Sequence, residues 1–253
     1  MNRILHVTQR LVRKAFASCG LELRRLPPPP QQLLARRRLW ESLRIDLVLD
    51  VGANSGQFGQ MLRRELLYQG RIHSFEPLSE AFSALRTTVE GDHLWTIERT
   101  ALGDSEGETV IHVAANSYSS SLLPMTPALL RSAPQAAYVA DERIPITRLD
   151  RCFEDLRQDA DSIALKLDAQ GGEAAILQGA RNSLPNIRLI EMEMSLITLY
   201  EGESLFLDVC ARMQEKGYDL VNVEPEFFDP QTGQTLQVNG IFVASRWLNV
   251  HLG

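Results

Sequence analysis

The sequence predicts an α/β fold in which a mostly parallel β-sheet is covered by helices on both faces. Two observations predict it. Short apolar runs typical of buried strands alternate with helical patterns along most of the chain. The first apolar run, residues 47–49, leads into the glycine-containing segment 50–56, and a helical pattern follows over residues 58–67. A strand, a glycine turn and a helix in this order are typical of a nucleotide-binding crossover.

The remaining elements follow in order along the chain. Further strands are predicted over residues 72–75, 94–97, 109–113, 163–168, 187–192, 218–223 and 241–244. Further helices are predicted over residues 81–89, 173–179 and 205–215. The serine- and proline-rich interval 116–145 is assigned no regular element, and residues 224–240 are expected to form a hairpin-like excursion.

Composition indicates one sizeable globular domain with a short appendage. The chain has 253 residues, of which 44% are apolar and 23% charged. No stretch approaches the roughly 18 to 20 apolar residues that a membrane span requires. Cys19, Cys152 and Cys210 include no C-x-x-C pair, which argues against a cysteine zinc site and a disulfide framework. We therefore expect a cytoplasmic protein.

Charge is unevenly distributed along the chain. Residues 1–40 carry a net charge of +8, which leaves −14 for the remainder of a chain whose total is −6. The acidic remainder argues against nucleic acid as a partner, because a basic surface is needed to neutralise phosphates. We predict a basic helical arm with a proline-rich spacer over residues 1–40 and a single main domain over residues 41–253.

The arm has the pattern of a basic amphipathic helix followed by four prolines at residues 27–30. Its apolar positions at helical spacing are Ile4, Val7, Leu11, Ala15 and Cys19. Cations interrupt the apolar stretch, so a secretory signal is not favoured. Two interpretations remain open. The arm either makes peripheral contact with an anionic inner membrane face, or it packs on the domain or on a second copy in a homo-oligomer.

Residues at the ends of the predicted strands favour a nucleoside ligand. Gly52 and Gly56 have the spacing G-x-x-x-G, and the G-x-G-x-x-G pattern of a pyrophosphate site is missing. Asn54 stands at the position of the middle glycine, where its side chain suits a ligand smaller than a pyrophosphate. Glu76 ends the second strand, where an acid accepts hydrogen bonds from ribose hydroxyls.

Four ordered motifs resemble the FkbM-type family of S-adenosylmethionine-dependent methyltransferases. They are DVGANSG at 50–56, FEP at 75–77, ALGD at 101–104 and LKLDAQGGE at 165–173. The resemblance covers residues 46–245. It implies the class I methyltransferase fold, a Rossmann-like seven-stranded, mostly parallel sheet whose last strand, here 241–244, is antiparallel. It also implies methyl transfer to oxygen.

The resemblance further implies where S-adenosylmethionine binds. Its methionine part would lie against the segment 50–56, its ribose on Glu76, and its adenine beside Ala101 and Leu102. The cofactor-binding residues implied in this way are Asp50, Gly52, Ala53, Asn54, Ser55, Gly56, Glu76, Pro77, Ala101 and Leu102.

Catalysis needs a group that assists the acceptor, because the pKa of an alcohol is too high for attack at neutral pH. Asp168, at a strand end, is the first candidate for a base or metal ligand. Glu193 is expected to complete a carboxylate pair with it, and Lys166 to keep it ionised; a structural ion pair is the alternative for both. A divalent metal on Asp168 and Glu193 has no support from a neighbouring histidine. The family usually has an acid where this chain has Gln170.

The interval 116–141 is the predicted acceptor-binding segment, with a mobile surface loop as the alternative. Its candidate substrate-binding residues are Tyr118, Ser119, Ser120 and Ser121. We expect an O-methyltransferase that acts on a hydroxyl of a sugar or glycan, a glycolipid or a secondary metabolite. Two alternatives remain: a binding protein that keeps the fold without turnover, and an NAD-dependent oxidoreductase.

Overall fold

A computed structural model describes residues 31–158 and 161–248. The helices are α1 (Gln31–Leu43), α2 (Gln57–Arg64), α3 (Ser79–Thr88), α4 (Pro127–Ser132), α5 (Leu149–Leu156), α6 (Glu173–Gly179), α7 (Phe206–Glu215) and α8 (Ser245–Leu248). The strands are β1 (Leu47–Val51), β2 (Arg71–Phe75), β3 (Trp95–Glu98), β4 (Ala101–Leu102), β5 (Gly107–Ala114), β6 (Tyr138–Thr147), β7 (Ile163–Leu167), β8 (Ile187–Ser195), β9 (Tyr218–Phe228) and β10 (Thr235–Ala244).

The predicted amphipathic helix around residues 4–19 and the prolines at 27–30 lie outside the described residues. The chain divides after Arg36, and every strand described lies in the second part. Within residues 31–158 and 161–248, no helix has the length and apolar character needed to cross a bilayer.

Seven strands form the main sheet in the order β3-β2-β1-β7-β8-β10-β9. Neighbouring strands from β3 to β8 are parallel, whereas β10 runs antiparallel to both β8 and β9. The predicted sheet, with its antiparallel last strand, is therefore confirmed. All five residues of β1 and of β7 are buried, as expected for central strands covered on both faces.

The order of the strands fixes where a ligand site can form. From β1 the chain builds outward to β2 and β3 on one side, and from β7 outward to β8 on the other. Crevices in such sheets open at the carboxyl ends of the two strands where the order reverses. Here those strands are β1, which ends at Val51, and β7, which ends at Leu167.

A second sheet has three strands in the order β4-β6-β5, and of these only β5 was predicted. Strand β5 agrees with the prediction, but the interval 116–145 is wrong as an irregular segment, because it contains helix α4 and most of β6. The sequence of β6 does not have the pattern of a strand, because it contains three consecutive charged residues, Asp141, Glu142 and Arg143, and a proline, Pro145. The strand is held by antiparallel pairing with β5 and by the buried residues Ile144 and Ile146.

The predicted hairpin over residues 224–240 is formed by the ends of β9 and β10, which are longer than predicted. Asp229 in its turn accepts a hydrogen bond from the hydroxyl of Ser132 in α4, at 2.6 Å. The turn is thereby attached to the segment that follows β5. This arrangement brings Glu226 of β9 to the carboxyl ends of β1 and β7.

Candidate active site

A cavity of about 540 Å³ opens at the carboxyl ends of β1, β2 and β7. Its walls come from the glycine turn after β1, the end of β2, the second sheet, and the segment after β7. Most residues predicted for the site line it together: Asp50, Gly52, Ala53, Asn54, Glu76, Pro77, Ala101, Leu102, Tyr118, Ser120, Lys166, Asp168 and Glu193.

Gly52 allows the ends of β1 and β7 to come together. Its φ is +76°, a left-handed conformation that glycine adopts without steric cost. A Cβ atom at this position would lie 1.9 Å from the carbonyl oxygen of Asp168. Any other residue at position 52 would therefore push Asp168 away from the turn.

Glu76 is fixed by two backbone N–H groups. Asn54 donates to its Oε2 at 2.7 Å, and Leu78 donates to its Oε1 at 2.9 Å. Burial raises the pKa of Glu76 to about 7, although these two hydrogen bonds favour the ionised form. The carboxylate lies in the cavity wall with its remaining lone pairs able to accept from a pair of ligand hydroxyls.

Asp50 lies below the glycine turn and is also buried. It accepts a hydrogen bond from the hydroxyl of Ser74 at 2.9 Å. Burial raises its pKa to about 6, and the charge of Lys166 and the Ser74 hydrogen bond limit that rise. The cavity lining thus includes a buried acid, Asp50, whose ionised form is stabilised by the charge of Lys166.

Lys166 and Asp168 form an ion pair at the end of β7, as the period of the strand predicts. The Nζ of Lys166 lies 3.2 Å from Oδ2 of Asp168, and the side chains are 6% and 39% exposed, respectively. Burial lowers the pKa of Lys166. The negative charges of Asp168, Glu191 and Glu193 together raise that pKa by more, so the net shift is upward. Lys166 therefore stays charged and Asp168 faces the cavity.

Gln170 joins the two predicted carboxylates. Its Nε2 donates to Oδ1 of Asp168 at 2.9 Å and to Oε2 of Glu193 at 2.7 Å. Burial and the charge of Asp168 raise the pKa of Glu193 well above its usual range. The structure thus brings Asp168 and Glu193 together, with an amide between them.

Two residues of the glycine loop do not line the cavity. The carbonyl of Ser55 accepts a hydrogen bond from Thr88 of α3. Gly56 has φ +92°, and a Cβ atom there would lie 2.9 Å from the side chain of Leu85 and 3.3 Å from the indole ring of Trp95. Both residues lie against elements that neighbour α2, and their role as cofactor contacts stays a prediction.

Two of the predicted acceptor residues, Ser119 and Ser121, do not line the cavity and have hydrogen-bond partners within the protein. Ser119 exchanges hydrogen bonds with Asn116 inside its own loop. Ser121 is buried and donates to the backbone carbonyl of Gln170 at 2.6 Å. Of the four predicted acceptor residues, Tyr118 and Ser120 line the cavity.

Several site residues were missed by sequence reasoning. Glu226 lines the cavity, Gln237 donates to Oε2 of Glu193 at 2.8 Å, and the hydroxyl of Tyr200 donates to Oε1 of Gln170 at 2.6 Å. Each comes from a different segment of the chain. No local motif marks them: Glu226 and Gln237 come from the paired strands β9 and β10, and Tyr200 comes from the segment after β8.

No group of three or more His, Cys, Asp or Glu side chains placed to hold a metal ion occurs in the described ranges, 31–158 and 161–248. Asp168 and Glu193, the two predicted metal candidates, meet through the Gln170 amide. The structure therefore supplies two carboxylates at this point of the cavity and an amide as the third group.

The strand order, the antiparallel strand β10 and a glycine turn with an acid at the end of β2 define the class I methyltransferase fold. Residues 50–220 match the Methyltransferase FkbM domain. The chain belongs to the FkbM methyltransferase family.

Solved structures with a similar fold include an FkbM methyltransferase from Methylobacillus flagellatus, with 14% identity and a TM-score of 0.48 over 78% of this chain and 43% of that chain. The chain thus spans less than half the length of that protein. Fibrillarin from Aeropyrum pernix with natively bound S-adenosyl-L-methionine has 14% identity and a TM-score of 0.46, covering 83% of this chain and 74% of that one. A magnesium protoporphyrin IX methyltransferase from Synechocystis has 8% identity and a TM-score of 0.45, with coverages of 85% and 77%. No curated protein matches this chain significantly.

The residues present fit S-adenosylmethionine. Glu76 offers a fixed carboxylate for the ribose hydroxyls, and the apolar residues Ala101 and Leu102 border the side of the cavity available to adenine. Among the described residues that line the cavity, Lys166 is the only cation, whereas the acids there include Asp50 and Asp168. An acidic cavity suits a positively charged sulfonium and disfavours the pyrophosphate of NAD.

Proposed function

We propose that the protein transfers a methyl group to a hydroxyl oxygen of a sugar or glycan, a glycolipid or a secondary metabolite. The observation that carries the proposal is the ion pair of Asp168 and Lys166 at the end of β7. A partly exposed carboxylate, paired with a buried cation, thus lines the cavity beside the glycine turn. Such a carboxylate is placed to act as a general base.

The chemistry of the bound cofactor is simple. S-adenosylmethionine supplies a methyl group on a positively charged sulfur, and that S–C bond breaks as the O–C bond to the acceptor forms. Asp168 accepts the proton that the acceptor hydroxyl loses. Lys166 stabilises the Asp168 carboxylate before the transfer, and Glu193 accepts a hydrogen bond from a second hydroxyl of the acceptor.

The lining of the cavity supports a neutral, hydroxyl-bearing acceptor. Ser117, Tyr118 and Ser120 form one wall, and Glu226 faces them from β9. Hydroxyl and carboxylate groups accept and donate hydrogen bonds to alcohols. Because Lys166 is the only cation among the described lining residues and is paired with Asp168, a phosphate or carboxylate on the acceptor would be repelled.

The test is a methyl-transfer screen with the full chain and S-adenosylmethionine labelled with ¹³C at the methyl group. The acceptors are neutral glycosides, glycolipids and phenolic or polyketide-type alcohols, with an anionic sugar phosphate and an amine as comparison acceptors. NMR of the product distinguishes an O-methyl from an N-methyl or C-methyl carbon. We expect O-methylation of a neutral acceptor; labelling of nitrogen or carbon, with hydroxyl acceptors unchanged, would overturn the proposal.

A further inference from the structure

The segment after β7 has an unusual and well-held backbone. Gln170 has φ +49°, a left-handed conformation that is uncommon for a residue with a side chain. The carbonyl of Gln170 accepts a 2.6 Å hydrogen bond from the buried hydroxyl of Ser121. The Ser121 hydroxyl thus fixes the backbone of the loop after β7 at Gln170, whose side chain lines the cavity.

The side chain of Gln170 is held in one orientation. Tyr200, which is fully buried, donates its hydroxyl hydrogen to Oε1 of Gln170 at 2.6 Å. Burial raises the pKa of Tyr200, so the hydroxyl remains a donor at any ordinary pH. The same hydroxyl also lies 3.3 Å from the carbonyl oxygen of Ser119. The carbonyl end of the amide faces Tyr200, and the NH₂ end faces Asp168 and Glu193.

The two hydrogens of that NH₂ group are both used. One is donated to Asp168 at 2.9 Å and the other to Glu193 at 2.7 Å. Gln237 donates to the same Oε2 of Glu193 at 2.8 Å. In the part of the chain that the structure describes, no donor reaches Oε1 of Glu193, so this is the oxygen left for an acceptor.

We propose that Gln170, oriented by Tyr200, is a positioning residue that holds Asp168 and Glu193 side by side. Its amide lies between the two side chains, in the position that a divalent cation takes when it bridges two carboxylates. The proposal deepens the proposed function, on which it rests only for the role of Asp168. An amide gives each carboxylate one directional hydrogen bond and adds no charge. The amide therefore fixes the positions of the two side chains without neutralising them as a cation would.

The first test converts the amide into a third carboxylate. Gln170→Glu keeps the size of the side chain, removes both hydrogens and places three acids around one point. Carboxylate oxygens are the ligands that hard divalent cations prefer. The full chain is titrated with Mn²⁺ alone by calorimetry, in the wild type, in Gln170→Glu and in the double variant Gln170→Glu with Asp168→Asn.

We expect Gln170→Glu to bind Mn²⁺ at least about tenfold more tightly than the wild type, and the double variant to lose that gain. Two results would overturn the proposal. One is wild-type binding as tight as that of Gln170→Glu and abolished by Asp168→Asn, which would place a cation in the bridge. The other is no gain of binding in a folded Gln170→Glu variant, which would show that the three side chains do not converge. These measurements need no acceptor, so a failure of the proposed function is seen separately, in the acceptor screen.

The second test asks whether orientation by Tyr200 matters. Tyr200→Phe removes only the hydroxyl that fixes the amide. Tyr218→Phe is the matched control, because Tyr218 is also buried and donates to backbone carbonyls of Leu184 and Ile187, away from the cavity. With an acceptor identified by the screen, kcat and the KM for S-adenosylmethionine are measured for both variants.

We expect Tyr200→Phe to lower kcat about tenfold with little change in KM, because one neutral hydrogen bond to a positioning group is lost. Tyr218→Phe is expected to lower only the unfolding temperature. An unchanged kcat in Tyr200→Phe, or an equal loss of kcat in Tyr218→Phe, would contradict the positioning role.

Discussion

The cavity has two halves that are built in different ways. The half that we propose binds the cofactor, called here the cofactor half, is made by the turn after β1 and the end of β2. Its main contacts are backbone N–H groups donating to Glu76. The half around Asp168 joins side chains from several strands and loops, through Gln170, Tyr200 and Glu193. The first half depends on local backbone geometry, and the second on long-range packing.

Asp168→Asn should have the largest effect on turnover. The amide keeps the shape of the side chain but cannot accept the proton of the acceptor hydroxyl, so we expect kcat to fall by about 10²–10⁴. Single-turnover methyl transfer, with an acceptor found by the screen, measures it. Asp141→Asn is the control, because Asp141 pairs with His112 in the second sheet, outside the cavity. Retained turnover in Asp168→Asn would remove Asp168 from the role of base.

Gly52→Ala should damage the cofactor half through the backbone. A Cβ atom at position 52 would collide with the carbonyl of Asp168 at 1.9 Å, and φ is unfavourable for alanine. Gly91→Ala separates the two causes, because Gly91 has φ +87° but a Cβ atom there would have no neighbour within 4 Å. By urea unfolding, we expect Gly91→Ala to lose about 1 kcal/mol and Gly52→Ala clearly more. Equal losses would show that the close approach of β1 and β7 is not important.

The affinity for S-adenosylmethionine should depend on pH through Glu76. An acid is ionised above its pKa, and burial raises the pKa of Glu76 to about 7. If the ribose hydroxyls donate to the ionised carboxylate, binding strengthens as the pH rises through that value. We expect about tenfold weaker binding one pH unit below it. Calorimetry across this range measures the change, with Glu76→Gln as the control for titration of the ligand itself. The same pH profile in both proteins would contradict the ribose assignment.

Removal of residues 1–30 should have the smallest effect on the two halves. All the strands described begin at or after Leu47, so we expect an unchanged unfolding midpoint and unchanged cofactor affinity. Sedimentation with anionic liposomes then separates the interpretations of the basic arm. Salt-sensitive sedimentation that is lost on deletion indicates a membrane contact. Absent or salt-independent sedimentation favours packing on the domain or on a second copy.

The contrast between the halves explains what the sequence predicts well. Gly52 and Glu76 each follow a strand of five residues, as predicted, because a strand, a turn and a helix are local patterns. The pairing of Lys166 with Asp168 also follows from a period of two on one strand. In these cases the residues that meet are close in the chain or share an element.

The other half was only partly predictable. Asp168 and Glu193 were expected to meet, but the contacts of Tyr200 and Gln237 depend on long-range packing, including the register of β8 with β10. The hydrogen bond from Ser121 to the backbone of Gln170 was also not predicted, because it joins segments that are far apart in the chain. Strand β6 was missed because its charged residues and its proline are unusual in a strand. The strand is stabilised by its antiparallel pairing with β5, which no local pattern shows. Interactions between distant segments leave no spacing that a sequence pattern can detect.

The most direct test of the division is the dissociation constant of S-adenosylmethionine, measured by calorimetry for Glu76→Ala and Asp168→Asn beside the wild type. Loss of the Glu76 carboxylate removes charged hydrogen bonds to the ribose, so we expect binding at least about tenfold weaker. Asp168→Asn is expected to bind within about threefold of the wild type, less than about 1 kcal/mol of change. Wild-type affinity in Glu76→Ala, or a larger loss in Asp168→Asn than in Glu76→Ala, would contradict the assignment of cofactor binding to one half and catalysis to the other.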